Sequence, residues 1–491
     1  MVRPAGNPAG ASTTRMTSSA PATTAPNDKP RKSSILDMAA PLVVSFWMRS
    51  LFTFVDTAYA ATLGDAAVAA VGLSIPFEFL MIACWVGVSA GLTSHLSQAM
   101  GAGQGARIEQ LLATTRRIIW ALVPLFLLIA AGAALSAPHL GLDPEVARLF
   151  AIYAGVLIGG SALNAFWSIL PDSLVKAHHD TRSTMWAGIW SNVINVALNT
   201  LFTFVFHWGV FGIAFSTVVG RFGGLVYALR KAAQHENARK ALRRDTDPTL
   251  DPAPFRTLMQ LAVPAALTYV LMALETSVVN WLLSTQEDAT SSIAAYGIYY
   301  RVVLFVLMPI IATSVAVLPF VARRYGEGDI QGIRDGLRLA MTAGVVYCVA
   351  LVLPAMLLTG GALARALAES EVTARLTRIA LWVAPFAALA GIPFQLCRPV
   401  FEGLQRGRPG LVMAVVRYLV LTVPLGLGGM GAARAFGQPP LFGLLFGLLA
   451  ATAVSSSIFL VWMERALARL KAPAAATEVR ASSAPDPSPT P

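Results

Sequence analysis

Two blocks of six apolar spans, carrying the same landmarks in the same order, constrain this chain more than any other feature. The first block has AAVGL at Ala69–Leu73 and a Gly-Ala-Gly turn starting at Gly101; the second has AAYGI at Ala294–Ile298 and a turn starting at Gly326. Gly72 to Gly101 is 29 positions, and so is Gly297 to Gly326. Each block opens on a proline within an apolar run, Pro41 and Pro264. Pro41 to Gly72 is 31 positions and Pro264 to Gly297 is 33, so the copies differ by a two-residue insertion. Duplicated helical bundles are typical of secondary transporters, in which one half moves against the other about a central site. The expected fold is an all-α membrane protein with twelve transmembrane helices in two pseudo-symmetric six-helix lobes.

Composition agrees. Of 491 residues, 56% are hydrophobic and 13% charged, with a mean hydropathy of +0.63; soluble domains carry about 25% charge. A net charge of +11 would suit nucleic acid. The charges sit instead in short loops between apolar runs, where Lys and Arg set membrane orientation, and no basic stripe interleaved with aromatics stands outside them. Nucleic acid is therefore not an expected partner. Cys84, Cys348 and Cys397 lie inside apolar spans without CxxC spacing, which predicts neither a disulfide framework nor a metal site. Residues 1–33 lack an apolar h-region and do not read as a signal peptide.

Spans are expected near 36–61, 66–99, 109–135, 146–175, 183–206, 210–230, 258–284, 290–322, 334–358, 373–402, 410–430 and 440–463, each long enough to cross about 30 Å of hydrocarbon. These give a disordered cytoplasmic tail at 1–34, an N-lobe at 35–232, a cytoplasmic linker at 233–257, a C-lobe at 258–470 and a second disordered tail at 471–491. Loops after even-numbered spans hold Arg107, Lys176, Arg182, Arg323, Arg324, Arg406 and Arg408, whereas those after odd spans are sparse in Lys and Arg. That asymmetry places both termini and the linker in the cytoplasm.

At these residues the chain resembles the multidrug and toxic compound extrusion (MATE) transporters. VDTAYAATLG within Ala40–Gly64, AAVGL with the turn at Gly101–Gly103, AAYGI with Met308-Pro309, and RYLVLTVPL at Arg417–Leu425 carry the resemblance over about residues 35–465. It implies two lobes forming a V in a bacterial inner membrane, exporting organic cations in exchange for sodium ions or protons. No other cofactor, no enzymatic activity and a monomeric state are expected.

An ionisable group inside a span is costly enough to be a functional candidate. Asp56 lies about five residues from the outer end of span 1. A carboxylate held there can take up a proton or a monovalent cation, and it matches the family's first-helix aspartate. Asn195 and Asn199 of span 5 are four apart and share a helix face; carboxamide oxygens suit a hard cation and equally suit bridging a carboxylate. Asp56, Asn195 and Asn199 form the candidate coupling-cation site. The resemblance implies an acid where Asn199 stands, which weakens the case for tightly bound sodium. Glu275 of span 7 is a possible second coupling acid, or a structural partner of Arg301. Glu78 and Arg49 reach a similar depth, which predicts an ion pair. Trp47, Glu78, Trp190, Tyr269, Met272 and Tyr300 are candidates for the substrate cleft, since aromatic faces attract organic cations and methionines adapt to varied shapes. His178-His179-Asp180 lies in a short loop and is read as solvated rather than metal-binding. Two rival readings remain: a lipid-linked saccharide flippase, for which Arg49, Arg301 and Arg417 would supply cations, and a membrane enzyme, which lacks any recognisable catalytic motif.

Overall fold

Backbone polar groups buried in hydrocarbon have no water to bond, so a spanning chain must satisfy them within its own helices. The structure, a computed structural model, is helical throughout its long elements. It describes residues 34–139, 143–241, 250–286, 288–368 and 370–470, without the side chains of 49–54, 57 and 65. Both expected tails, apart from Ser34, lie outside the described residues.

Among the described residues, twelve long helices run in chain order: α1 Ile35–Ala61, α2 Asp65–Gly101, α3 Gly105–Ser136, α4 Pro144–Ala177, α5 Thr181–Val205, α6 Gly209–Ala241, α7 Pro254–Ser284, α8 Ala289–Gly326, α9 Ile330–Leu367, α10 Glu371–Gly403, α11 Arg408–Ala435 and α12 Pro440–Ala468. Eleven are long and apolar enough to cross a membrane, and α1 has 27 residues. Helix α6 continues through Ala241, so the first part of the expected linker is helix.

Local signals start the helices. Ser34 and Asp37 form a capping box at α1, and Asp143, Asp180, Asp329 and Ser370 accept from backbone N–H groups at the starts of α4, α5, α9 and α10. Each such cap satisfies an otherwise orphaned donor. The repeated turn has one geometry in both copies. Gly103 and Gly328 take φ of 71° and 74°, a conformation that strains side-chain-bearing residues. The preceding N–H groups return alike, Glu327 to Arg323 and Ala102 to Gln98, each at 2.9 Å.

Helices α1–α6 and α7–α12 make the two lobes, but the first helix of each block is shared. The early half of α1 (Ile35, Met38, Ala39, Leu42) packs into the C-lobe core with Val306, Ala316 and Phe320. The early half of α7 (Leu258, Ala262) packs into the N-lobe core with Leu92, Leu96 and Ile108. Their later halves return to their own lobes.

Contacts between lobes cluster at the end of the bundle that holds the α6–α7 linker, called here the linker end. Among the described residues, Ser94 Oγ donates to the Glu402 carbonyl at 2.6 Å, Arg323 Nη1 to the Ala177 carbonyl at 3.4 Å, His95 meets the Thr257 carbonyl at 3.3 Å, and Gln98 bonds Gln405. Small residues permit the approach: a Cβ on Gly87 would stand 2.5 Å from the Ala262 carbonyl oxygen, and one on Gly91 3.0 Å from that of Leu258.

Candidate functional site: a buried carboxylate between α1, α5 and α6

Helix α6 crosses α5 closely because Gly220 and Gly224 carry no side chain there. A Cβ on Gly220 would lie 2.7 Å from the Ser191 carbonyl oxygen and 2.9 Å from Asn195 Cβ. Small residues let membrane helices approach and leave polar side chains to bond across the seam. The crossing puts Ser216 and Thr217 of α6 beside Asn195 and Asn199 of α5. Helix α1 closes the third side.

Asp56 sits in this junction, 6% exposed, beside Asn195 and Asn199, both 0%. Asn199 Nδ2 donates to Asp56 Oδ1 at 3.0 Å, Asn195 Nδ2 approaches the same oxygen at 3.5 Å, and Thr217 Oγ1 donates to Oδ2 at 2.8 Å. A second tier holds the amides. Asn195 Nδ2 also donates to Thr217 Oγ1 at 3.0 Å, and Ser216 Oγ donates to Asn199 Oδ1 at 2.6 Å. One turn toward the other end of the bundle, the Tyr59 hydroxyl and Thr200 Oγ1 are 2.6 Å apart. Every described group bonded to the Asp56 carboxylate is neutral. Hydrogen bonds to a charged acceptor are worth about 1.5–3 kcal/mol each, so the junction can hold an anion with no counter-ion in contact among the described residues and leaves it able to receive a cation.

The three expected coupling residues are therefore adjacent. Sequence reasoning missed Ser216 and Thr217, although a Ser-Thr pair followed by glycines four and eight positions after Ser216 is a signal of a polar helix crossing. Glu78 lies nearby, but its described partner is Arg221: Nη2 to Oε1 is 3.2 Å, and Arg221 Nη1 donates to Ser161 Oγ at 2.6 Å. The expected Arg49 pair falls on a side chain outside the described residues.

Glu275 occupies the other lobe, where it accepts from Thr422 Oγ1 at 2.8 Å. Its expected pairing with Arg301 is not what the structure contains: Arg301 is exposed and bonds no described residue. Arg417 lies over the rings of Phe394 and Tyr418, at 4.5 and 4.9 Å.

The expected cleft residues do not form one wall. Trp47 stacks on Phe305 of the other lobe, with ring centroids 6.1 Å apart. Trp190 is half a helical rotation from Asn199 and faces away from the carboxylate. Tyr269 lies beneath the Arg398 guanidinium, 5.5 Å away. Met272 packs on the C-lobe core and Tyr300 on the cluster around Tyr296.

The histidines of the α4–α5 turn are more ordered than a solvated loop implies. His178 stacks on His235 at 5.0 Å, and His178 and His235 meet Glu236 and Asp180 at 3.2 and 2.8 Å. Burial pushes His179 down to about 4, and Arg323 adds to that shift.

Residues 41–201 and 264–427 match the family model described as MatE. The chain is 28% identical over 355 residues to the "Probable multidrug resistance protein YoeA" of Bacillus subtilis, covering 70% of this chain and 75% of that protein. It is 24% identical to the "Multidrug and toxin extrusion protein 1" of Oryctolagus cuniculus, covering 88% and 74%. Among solved structures, the Vibrio cholerae MATE transporter VcmN superposes with a TM-score of 0.78 at 22% identity, covering 88% of this chain and 96% of that one. With both halves matched and the two-lobed helical fold shared, this chain belongs to the MatE family of membrane transporters.

Proposed function

We propose that the protein is a multidrug efflux antiporter in which a proton or sodium ion, taken up at Asp56, is exchanged for small amphipathic molecules, organic cations foremost. The observation that carries the reading is the bonding of Asp56, a buried carboxylate among three helices whose described hydrogen-bond donors are all neutral. Multidrug transport is what the names of the bacterial and rabbit relatives describe.

A proton would sit on the carboxylate itself. A sodium ion would need oxygen ligands, and rotation of the Asn195 and Asn199 carboxamides about χ2 would replace their donors with oxygens beside Asp56. Either event removes the charge that now orders Asn195, Asn199 and Thr217 across the α1–α5–α6 junction. Helix α1 packs into the other lobe through its early half, so a change at Asp56 reaches the lobe interface along one helix. An ion drives the cycle only by binding one state more tightly than the other.

The basic loops favour a cytoplasmic linker end. With the lobes in contact there, access would come from the opposite side, where an exporter releases cargo and collects its coupling ion. A flippase would need several free cations around one pyrophosphate, whereas Arg417 is engaged by aromatic rings. The test is accumulation of ethidium in proteoliposomes under a pH gradient alone and under a sodium gradient alone. Transport under one of them supports antiport; transport indifferent to both overturns it.

A further inference from the structure

One face of α8 changes environment along its length. Ala312 and Ala316 on that face are 0% exposed, in the cluster that also holds Ile35, Met38, Ala39 and Leu42 of α1. Continuing away from the linker end in helical steps, the same face carries Phe305, Arg301 and Ala294, all exposed. Arg301 thus lies on the continuation of that face, beyond the point where its covering ends. Its depth follows from its neighbour: Phe305, 59% exposed, stacks on Trp47, the twelfth residue after the start of the 27-residue α1 and hence near its middle. Arg301 is one turn further, about 6 Å from that level and inside a hydrocarbon layer of about 30 Å.

The repeat supplies an internal control. Counterparts stand 225 positions apart, as Gly72 and Gly297 do, so Arg301 corresponds to Pro76, Phe305 to Leu80, and Ala312 and Ala316 to Gly87 and Gly91. The α2 face behaves alike, buried at Gly87 and Gly91 and exposed at Leu73, Pro76 and Leu80, but it is apolar throughout. One wall of the cleft carries a cation where the other carries a proline. Glu78 and Arg221 neutralise each other, and Arg301 has no such partner among the described residues. A bare guanidinium at this depth is too costly to be retained as filler.

We propose that Arg301 is an anion-binding subsite of the inter-lobe cleft, selecting cargo that joins a planar aromatic body to a carboxylate, sulfonate or phosphate. Its guanidinium pairs the anionic group, the rings of Phe305 and Trp47 receive the planar body, and Leu73 and Leu80 face it across the cleft. This widens the cargo of the antiporter proposed above from organic cations to acidic and zwitterionic aromatics, and it rests on that reading for the transport step but not for binding.

The experiment compares the full-length wild type with Arg301→Gln and Arg301→Lys, using carboxyfluorescein as the anionic probe and ethidium as the cationic one. Anisotropy in detergent reads binding, and proteoliposomes under the same ion gradient read transport. Arg301→Gln is expected to weaken carboxyfluorescein binding and transport by about tenfold or more, Arg301→Lys to retain most of both, and ethidium to stay within about twofold in each variant. Carboxyfluorescein that fails to bind the wild type, or an equal loss of both dyes in Arg301→Gln, overturns the subsite. Carboxyfluorescein binding that depends on Arg301 without gradient-driven movement of either dye supports the subsite while contradicting the antiport reading.

Discussion

Gly101 of α2 and Gly326 of α8 are each seated on the other's helix: a Cβ on Gly101 would strike the Arg323 carbonyl oxygen, and one on Gly326 would strike that of Gln98. Arg323 and Gln98 each precede a glycine of the pair by three positions, so the contact is its own mirror under the repeat. Backbone lies against backbone there, with no flexible side chain to yield. The substitution Gly101→Ala is expected to exclude this lobe contact and leave the helices intact. Cysteines placed at Gln98 and Gln405, which bond each other across the interface, should cross-link readily in the parent and poorly with Gly101→Ala. Equal cross-linking would show that the lobes close by another route.

His179 sits at the same interface with φ of 62°. It is held neutral by burial and faced by Arg323, Arg324 and its neighbour His178, with a folded-state value of about 4. A histidine whose folded pKa is depressed contributes to the closed state above its free value of about 6.5, and that contribution is lost as pH falls from there towards 4. The Gln98–Gln405 cysteine cross-link should therefore decline over that window. His179→Asn, which tolerates the left-handed backbone, should flatten the decline. A pH response unchanged in the variant would assign it to another group.

Glu78 and Arg221 are 143 positions apart and about a quarter exposed, at 26% and 29%. Removing one member leaves an unpaired charge in the membrane, so Arg221→Gln alone is expected to cost on the order of 2 kcal/mol, between surface and fully buried pairs. Adding Glu78→Gln should restore part of that loss. Thermal unfolding of the four proteins in one detergent reads the coupling, and strict additivity would mean that the pair is not energetically joined.

Helix number, most helix ends and the duplication were legible in the sequence, because apolar length and glycine punctuation are local properties; the polar extension of α6 to Ala241 and the extension of α9 to Leu367 were not. The meeting of Asn195 with Asn199 on one face was legible for the same reason. What escaped was set by packing. Thr217 reaches Asp56 only because Gly220 and Gly224 let α6 lie against α5, and Glu78 finds Arg221 only through the placement of α4 and α6. Glu275 bonds Thr422 rather than Arg301, since position along a helix carries no information about which neighbour lies across the seam. Likewise, the sharing of α1 and α7 between lobes has no trace in their hydropathy.

In the proposed cycle Asp56 is the group that trades an ion for cargo. Asp56→Asn keeps the size and shape of the side chain while removing the charge; its amide oxygen can still accept from Asn199, and the bond with Thr217 must reverse direction. Ion flux and ethidium flux measured together in one proteoliposome preparation test it most directly. The wild type should move the two in opposite directions with a fixed ratio, and Asp56→Asn should lose gradient-driven ethidium transport by about a hundredfold while still binding the dye. Coupled fluxes that persist at the wild-type ratio in a folded Asp56→Asn protein would contradict the account.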